Sequence, residues 1–427
     1  MNNQTKLKDI AGWSIIFITL FSAWLIYYFE QFNIFFLALL VFEMALAVRY
    51  RKVFTPAMLR TSQIIIALLF LFSGFVKAVD PLGTAYRIED YLGVYGIAHD
   101  FWMAVALSFM LNAVELLLGG LFLFNIKPKI SAWLIAFMMA VFTATTLYDA
   151  LYDPVPDCGC FGDAVIMTNW QTFYKNLAIN VFVLISVFGR SRLKSKMKNI
   201  TEWSLALGMK MLFIGYQYIN YVNLPMIDFR AYKVGNRLTP ENPLPVKNYL
   251  TYRNMQTGET QEFLSPNYPF NDSEWLANWE FVSHRVDDPN VIKGVDLAII
   301  DFYGDDLTKY VFQDTYFHFI VVAWDLSSTN RAAFQKINEL YLRAENEGMH
   351  FIVLTTTLQE NIDQFIVDNE ISYDLQFHYA DGIELKTMIR SNPGLFLIHD
   401  GLILDKWHYN RLPEWDFLEQ KYFHNRD

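Results

Sequence analysis

The chain has 427 residues, 53% hydrophobic and 17% aromatic, with two cysteines and a net charge of -10. An apolar share above about half exceeds that of an ordinary soluble domain. The charge is uneven: up to Tyr221 there are 17 Lys+Arg against 13 Asp+Glu, and from Val222 onward 17 against 31. An acidic second half excludes nucleic acid and anionic lipid as its electrostatic partners.

A bilayer core takes about 20 apolar residues per helix. Seven runs in the first half approach that length: Trp13 to Phe29, Phe32 to Val48, Leu59 to Val79, Phe101 to Asn125, Ile130 to Ala150, Phe173 to Gly189 and Trp203 to Tyr221. They predict two transmembrane helices within 1–58, a four-helix membrane core within 59–200 and a last transmembrane helix at 201–221. Lys6 and Lys8 precede the first run and no small-residue cleavage site follows, so it reads as a retained anchor rather than a signal peptide. Lys6 and Lys8, then Arg49, Arg51 and Lys52, then Lys127 and Lys129, then Arg190, Arg192, Lys194, Lys196 and Lys198 fall in alternate connections. With seven crossings, that pattern puts the N-terminus in the cytoplasm and everything after Tyr221 outside it. The expected location is the inner membrane of a two-membrane envelope, multi-pass, with a periplasmic C-terminal domain.

Glu43 lies within the second run and Glu115 within the fourth, with Asn112 one turn earlier. Charges inside a bilayer are costly, so each is a functional candidate. Structurally, a protonated carboxyl pair or a Glu–Asn hydrogen bond would join two helices; functionally, they would form a proton or quinone site. After the third run, Lys77 is expected to snorkel to the outer interface a turn below Asp80, with Pro81 and Gly83 ending the helix. Tyr86, Ile88, Tyr91, Leu92 and Tyr95 alternate with Arg87, Glu89 and Asp90, which suits an interfacial helix.

The only cysteines, Cys158 and Cys160, sit in the outward loop "DCGCFGD". Three readings stay open. One is a clip pinning a tight turn, with Gly159 supplying unusual backbone angles. Another is a thiol–disulfide centre, since so small a ring is expected to be strained and oxidising. A metal site would need Asp157 and Asp163 to complete the shell, an unusual set for structural zinc.

Together with "SGFVKAVDPLG" (Ser73 to Gly83), this loop resembles DoxX-like and MauE-like membrane proteins over about Leu59 to Gly189. The resemblance implies a four-helix membrane core and links to quinone-coupled sulfur oxidation or disulfide formation in a partner. A quinone is the only cofactor it suggests.

Residues 222–245 read as a linker and 246–427 as a soluble domain. "VKNYLTYRNMQTGETQEFL" suggests a hairpin. Tyr316 to Leu326 and Met349 to Thr357 read as buried strands, Arg331 to Gly348 and Leu358 to Glu370 as helices, and Gly394 to Trp407 as two strands joined at Asp400 and Gly401. That order, with "SNPGLFLIHDGLILDKW", resembles a thioredoxin-like domain, whose cis-proline loop matches Ser391, Asn392 and Pro393. Where active members carry Cys-x-x-Cys, this chain reads "AWDLSSTNRAAF", so the domain is expected to be redox-inactive. Trp324, Asp325, Ser327, Ser328, Asn392 and Pro393 would line its groove. His318, His378 and His399 read as structural, and no histidine pair shows metal-ligand spacing.

The fold class expected is therefore a multi-pass α-helical membrane domain of about seven helices plus an extracytoplasmic α/β thioredoxin-like domain. Its leading function is a subunit that binds or scaffolds other envelope proteins, including exported polypeptides. The rival is a quinone-linked thiol–disulfide oxidoreductase acting through Cys158 and Cys160.

Overall fold

Apolar runs that cannot hydrogen-bond their backbone to lipid must do so within themselves, and the first half of the chain is helical accordingly. A computed structural model describes residues 3–26, 28, 33–195 and 197–423. Lys196 and the side chains of Lys6 and Lys8 lie outside the described residues, as do Phe29 and Phe32, the expected limits of the first two runs. The chain forms two units, Met1–Phe229 and Arg230–Asp427.

The first unit contains α1 (Asn3–Ile26), α2 (Ile34–Arg49), α3 (Pro56–Val79), α4 (Pro81–Val94), α5 (Phe101–Leu123), α6 (Pro128–Tyr152), α7 (Asn169–Gly189) and α8 (Asn199–Tyr221). Five of these, α1, α3, α5, α6 and α7, are long and apolar enough to cross a membrane. The expected number was seven, and the two others fall short for physical reasons. At 16 residues α2 spans about 24 Å, less than a bilayer core of about 30 Å, and α8 carries Glu202, Lys210, Gln217 and Asn220. Large apolar side chains such as Phe17, Phe21 and Trp24 on α1 and Trp133 and Phe137 on α6 face outward. Lipid is the solvent such a surface fits. The most enclosed of the five spanning helices is α7.

Close approach of α3 and α5 is built from glycines. A Cβ at Gly74 would lie 2.9 Å from the Leu116 amide nitrogen, and one at Gly119 would lie 2.9 Å from that of Leu71. Small residues on both helices let the backbones meet and set facing polar groups within reach. Asp80 ends α3 and caps α4, accepting from the Gly83 amide at 2.9 Å with Pro81 at the first helical position. The helix of the third run thus ends just before Pro81, as expected, and Pro81 and Gly83 also open a second helix, as proline at a first turn permits.

In the second unit, β1 (Lys247–Asn254), β2 (Thr260–Leu264) and β3 (Trp279–Asp287) form an antiparallel sheet ordered β2-β1-β3, with the short helix α9 (Ser273–Asn278) before β3. A five-stranded sheet follows, ordered β6-β5-β4-β7-β8: β4 (Phe317–Val322), β5 (His350–Thr355), β6 (Gln376–Tyr379), β7 (Gly394–His399) and β8 (Leu402–His408). Strands β4, β5 and β6 are parallel, and β7 and β8 antiparallel. The continuous apolar runs of β4 and β5 place them centrally, as burial on both faces requires. Helices α10 (Thr308–Gln313), α11 (Arg331–Asn346), α12 (Gln359–Asp368), α13 (Gly382–Met388) and α14 (Trp415–Leu418) complete the unit. Phe334, Ile337 and Leu340 of α11 and Ile362 and Phe365 of α12 share one core with Phe319, Val321 and Val353 of the sheet.

Three features depart from expectation, the first being that β3 adds a third strand to the expected hairpin of β1 and β2. An additional strand and helix, β6 and α13, lie between α12 and the terminal hairpin. The segment expected as a linker joins the domain from Arg230: the Gly235 and Leu238 amides donate to Ile403 and Gly401, and the Ile403 amide to Asn236. Tyr232 is fully buried. This stretch covers the exposed edge of β8, which an uncovered strand would otherwise offer to other chains.

Candidate functional site

The loop between α6 and α7 is pinned at both ends. Asn169 donates to the Asp153 carboxylate at 2.7 Å and the Val155 carbonyl at 3.0 Å. Thr168 and Gln171 cap α7 reciprocally. Between them, Cys158 and Cys160 form a disulfide. The sulfurs are bonded to one another, which removes the metal reading of this loop. Asp157 accepts from the Gly159 amide at 2.8 Å and pairs with Arg87 at 2.6 Å. Gly159 has φ 62 and passes so close to Arg87 that a Cβ there would lie 2.9 Å from the Arg87 Cγ. Arg87, expected only at the membrane interface, thus ties α4 to the cysteine loop.

A buried charged cluster adjoins this loop. Lys77 of α3 and Glu115 of α5 form an ion pair at 2.5 Å, with side chains 6% and 1% exposed. Lys77 does not snorkel: the glycine-mediated approach of α3 and α5 gives its ammonium a carboxylate inside the unit. The Ser73 hydroxyl lies 2.9 Å from Glu115 Oε2 and 2.7 Å from the Cys160 carbonyl oxygen. A hydroxyl has one proton to donate, so Ser73 serves one acceptor at a time. It is the direct link between the intramembrane charges and the backbone of the disulfide loop. Asn112 donates to the Lys77 carbonyl at 3.2 Å, so it fixes the helix that carries Lys77 rather than bonding Glu115. Lys175 of α7 is within electrostatic reach of Lys77 and Glu115, and its ammonium lies 4.4 Å from the Phe161 ring centroid.

Glu43 belongs to a different cluster. It accepts from the Ser22 hydroxyl at 2.9 Å, joining α1 to α2. The expected carboxyl pair is not formed, because Glu115 is engaged by Lys77 and Ser73. Among the residues of the site, sequence reasoning missed Lys175. Its signal was present, a lysine two positions into an otherwise apolar run, of the same kind that singled out Glu43 and Glu115.

Of the six residues expected to line a groove in the second unit, Asp325, Ser327, Ser328 and Asn392 are joined by hydrogen bonds, and Trp324 and Pro393 are their chain neighbours. Asp325 accepts from the Ser327 amide and hydroxyl at 2.9 and 2.7 Å and from the Ser328 hydroxyl at 2.8 Å. Asn392 donates to the Asp325 carbonyl at 2.8 Å, and the Trp324 carbonyl accepts from the Thr356 amide at 3.1 Å. The Asn392–Pro393 bond is cis. Burial alone would raise the pKa of Asp325, but the Ser327 and Ser328 hydrogen bonds outweigh it and hold the carboxyl below its ordinary value. This loop has no nucleophile of thiol type; its hydrogen bonds run among Asp325, Ser327, Ser328 and Asn392, while the buried Asn392 side-chain oxygen has no partner among the described residues.

Fold and site define a multi-helix membrane protein with a disulfide loop set against a buried lysine–glutamate pair, joined to a C-terminal α/β domain. Residues 55–189 match the family described as Methylamine utilisation protein MauE. That portion, less than half of the chain, contains Ser73, Lys77, Glu115, Lys175 and both cysteines, and is MauE-like. No curated protein and no solved structure matches the chain.

Proposed function

We propose that the membrane unit is a thiol–disulfide centre that oxidises thiols of an envelope protein through Cys158 and Cys160. The observation that carries this reading is the position of Ser73, whose one hydroxyl proton is within reach of both the Cys160 carbonyl and Glu115 of the buried ion pair. A clip needed only to hold a turn gains nothing from charges placed in a low-dielectric interior, where they are costly to keep. A partner thiolate attacks one sulfur of the disulfide, forms a mixed disulfide and releases the other as thiolate. The partner's second thiolate then resolves it, leaving the partner oxidised by two electrons and Cys158 and Cys160 as a dithiol. Arg87, its stem beside Gly159 and its guanidinium paired with Asp157, holds the loop in place while the disulfide is attacked. Returning the dithiol to the disulfide needs a two-electron, two-proton acceptor, and a lipid-soluble quinone is the class that a membrane supplies. Ser73, Lys77 and Lys175 are donors suited to its oxygens.

In this reading α2 and α8 cross as well, α2 where the bilayer thins locally to meet a short helix and α8 with Glu202, Gln217 and Asn220 turned inward, giving seven spans. The basic clusters at Arg49 to Lys52, Lys127 and Lys129, and Arg190 to Lys198 then share the cytoplasmic side, and the cysteine loop and the C-terminal domain face the periplasm. The C-terminal domain is thioredoxin-like and redox-inactive. It binds the polypeptide to be oxidised through the loop of Trp324 to Ser328 and the cis-proline at Pro393. A second reading, a subunit that only scaffolds envelope proteins, draws on that thiol-free loop alone.

The test is trapping. Single variants Cys158→Ser and Cys160→Ser, purified from cells under acid quench, are expected to carry partners in reducible mixed disulfides, one variant more than the other. The double variant should carry none. Partners recovered equally by wild type and the double variant, with no reducible adduct in either single variant, would establish the scaffold instead.

A further inference from the structure

Strands β4 and β5 each contain the run "HFIV", at 318–321 and 350–353. Their parallel register pairs His318 with His350, Phe319 with Phe351, Ile320 with Ile352 and Val321 with Val353. The two imidazoles therefore stand side by side on one face of the sheet, ring centroids 4.7 Å apart and planes 17° from parallel. Asp314, at the end of α10, meets both: its Oδ2 is 3.1 Å from His318 Nε2 and 3.5 Å from His350 Nε2. Its other carboxylate oxygen is held by the Tyr316 amide at 3.0 Å. His399 is not part of this group, since in the antiparallel pairing with β7 it opposes Phe317, on the other face.

We propose that Asp314, His318 and His350 bind one divalent transition-metal ion of the zinc class. Ligands held tetrahedrally at about 2.0–2.1 Å from zinc stand about 3.3 Å apart. The two Asp314 contacts bracket that separation, and all three ligand atoms lie within 4.8 Å of one another. Two imidazole nitrogens and a carboxylate form a donor set that zinc, cobalt and nickel accept. The Tyr316 amide supplies the outer hydrogen bond that orients a ligating carboxylate. Access is graded: the side chains of His318, Asp314 and His350 are 2%, 13% and 40% exposed, so the ion enters from the His350 side. Three protein ligands leave a fourth position for water. The site is separate from the cysteine chemistry and stands if that reading fails.

The full chain in detergent, purified without a histidine tag and stripped with chelator, is titrated with Co2+ and followed by visible absorption. Zn2+ is then measured by competition with a chromophoric chelator. Wild type and Cys158→Ser/Cys160→Ser are expected to bind one equivalent with the intense bands of a tetrahedral site. His350→Ala should weaken binding by about 100-fold or more, since loss of an outer-shell partner alone costs up to about that factor. Because His350 is partly exposed, the metal-free melting temperature of this variant should equal that of wild type, which separates ligand loss from misfolding. Absence of binding in wild type, or wild-type affinity in His350→Ala, would overturn the site.

Discussion

Two loops in this chain occupy comparable places, each at the start of a helix and each surrounded by polar groups, yet their chemistry differs. Between β4 and α11, Asp325, Ser327 and Ser328 bond to one another and to Asn392 of the segment before β7. Between α6 and α7, the polar groups reach away from the loop, through Ser73 into the Lys77–Glu115 pair and through Asp157 to Arg87. A hydrogen-bond network confined to a loop and its immediate neighbour holds that loop in place. Charges kept in a desolvated interior against their cost suggest use. The reactive element of the molecule is therefore sought in its membrane unit, and binding in its α/β domain.

The largest expected effect tests whether the membrane cluster is as costly as this contrast requires. Removing one partner of a buried ion pair leaves an uncompensated charge, worth about 3–5 kcal/mol, whereas replacing both partners by apolar groups is often neutral. Lys77→Met and Glu115→Leu should each lower the thermal stability of the detergent-solubilised chain sharply, and the double variant should recover most of it. If the double variant also loses thiol trapping at Cys158 and Cys160 while remaining folded, the pair serves chemistry. If trapping persists, the pair is architectural and the contrast between the loops is one of packing alone.

The α/β domain has its own buried titratable group. His408 is 4% exposed, and burial depresses its pKa from 6.5 to about 4. Its Nδ1 accepts from the Asn410 amide at 3.1 Å, a bond that only the unprotonated ring nitrogen can make. Between pH 6.5 and about 4 the unfolded chain binds more protons than the folded one, so stability is full above the unfolded value and falls as pH drops through that window. The loss should reach about 3 kcal/mol at its acid end. Pulse proteolysis of the C-terminal domain in urea, across pH 7 to 4, should show this slope in wild type and a shallower one in His408→Gln. An unchanged slope would assign the acid sensitivity to His318 and His378, whose pKa values burial also lowers.

Much of this arrangement was legible in the residues. Apolar runs located the long helices, and the D-G step at Asp400 and Gly401 located the terminal hairpin, where both residues take positive φ. What escaped was set by tertiary approach. Nothing local indicates that Lys77 stays inside, because its partner is 38 positions away and meets it only where Gly74 and Gly119 let two backbones touch. Likewise, Arg230 to Leu238 resembles a linker in composition and becomes part of the domain through backbone hydrogen bonds that any sequence could make. The paired "HFIV" runs are the opposite case, a signal visible in the chain whose meaning depends on strand register.

The smallest expected effect sharpens the contrast from the side of the inert loop. Asn330 caps α11, accepting from the Ala333 amide at 3.0 Å, while its own amide donates to the Asn392 carbonyl at 3.1 Å. Asn330→Ala removes only the side-chain acceptor and should cost about 1 kcal/mol. Because the loop contributes no reacting atom, the variant should leave mixed-disulfide trapping at Cys160 and Cys158 at the wild-type rate, measured alongside Arg87→Gln. The latter breaks the Arg87–Asp157 pair that holds the cysteine loop and should slow trapping without a matching loss of stability, since Arg87 is only partly buried. Slower trapping in Asn330→Ala at unchanged membrane-unit stability would mean that the cap also shapes the surface that binds the polypeptide, which would then extend beyond Trp324 to Ser328 and Pro393.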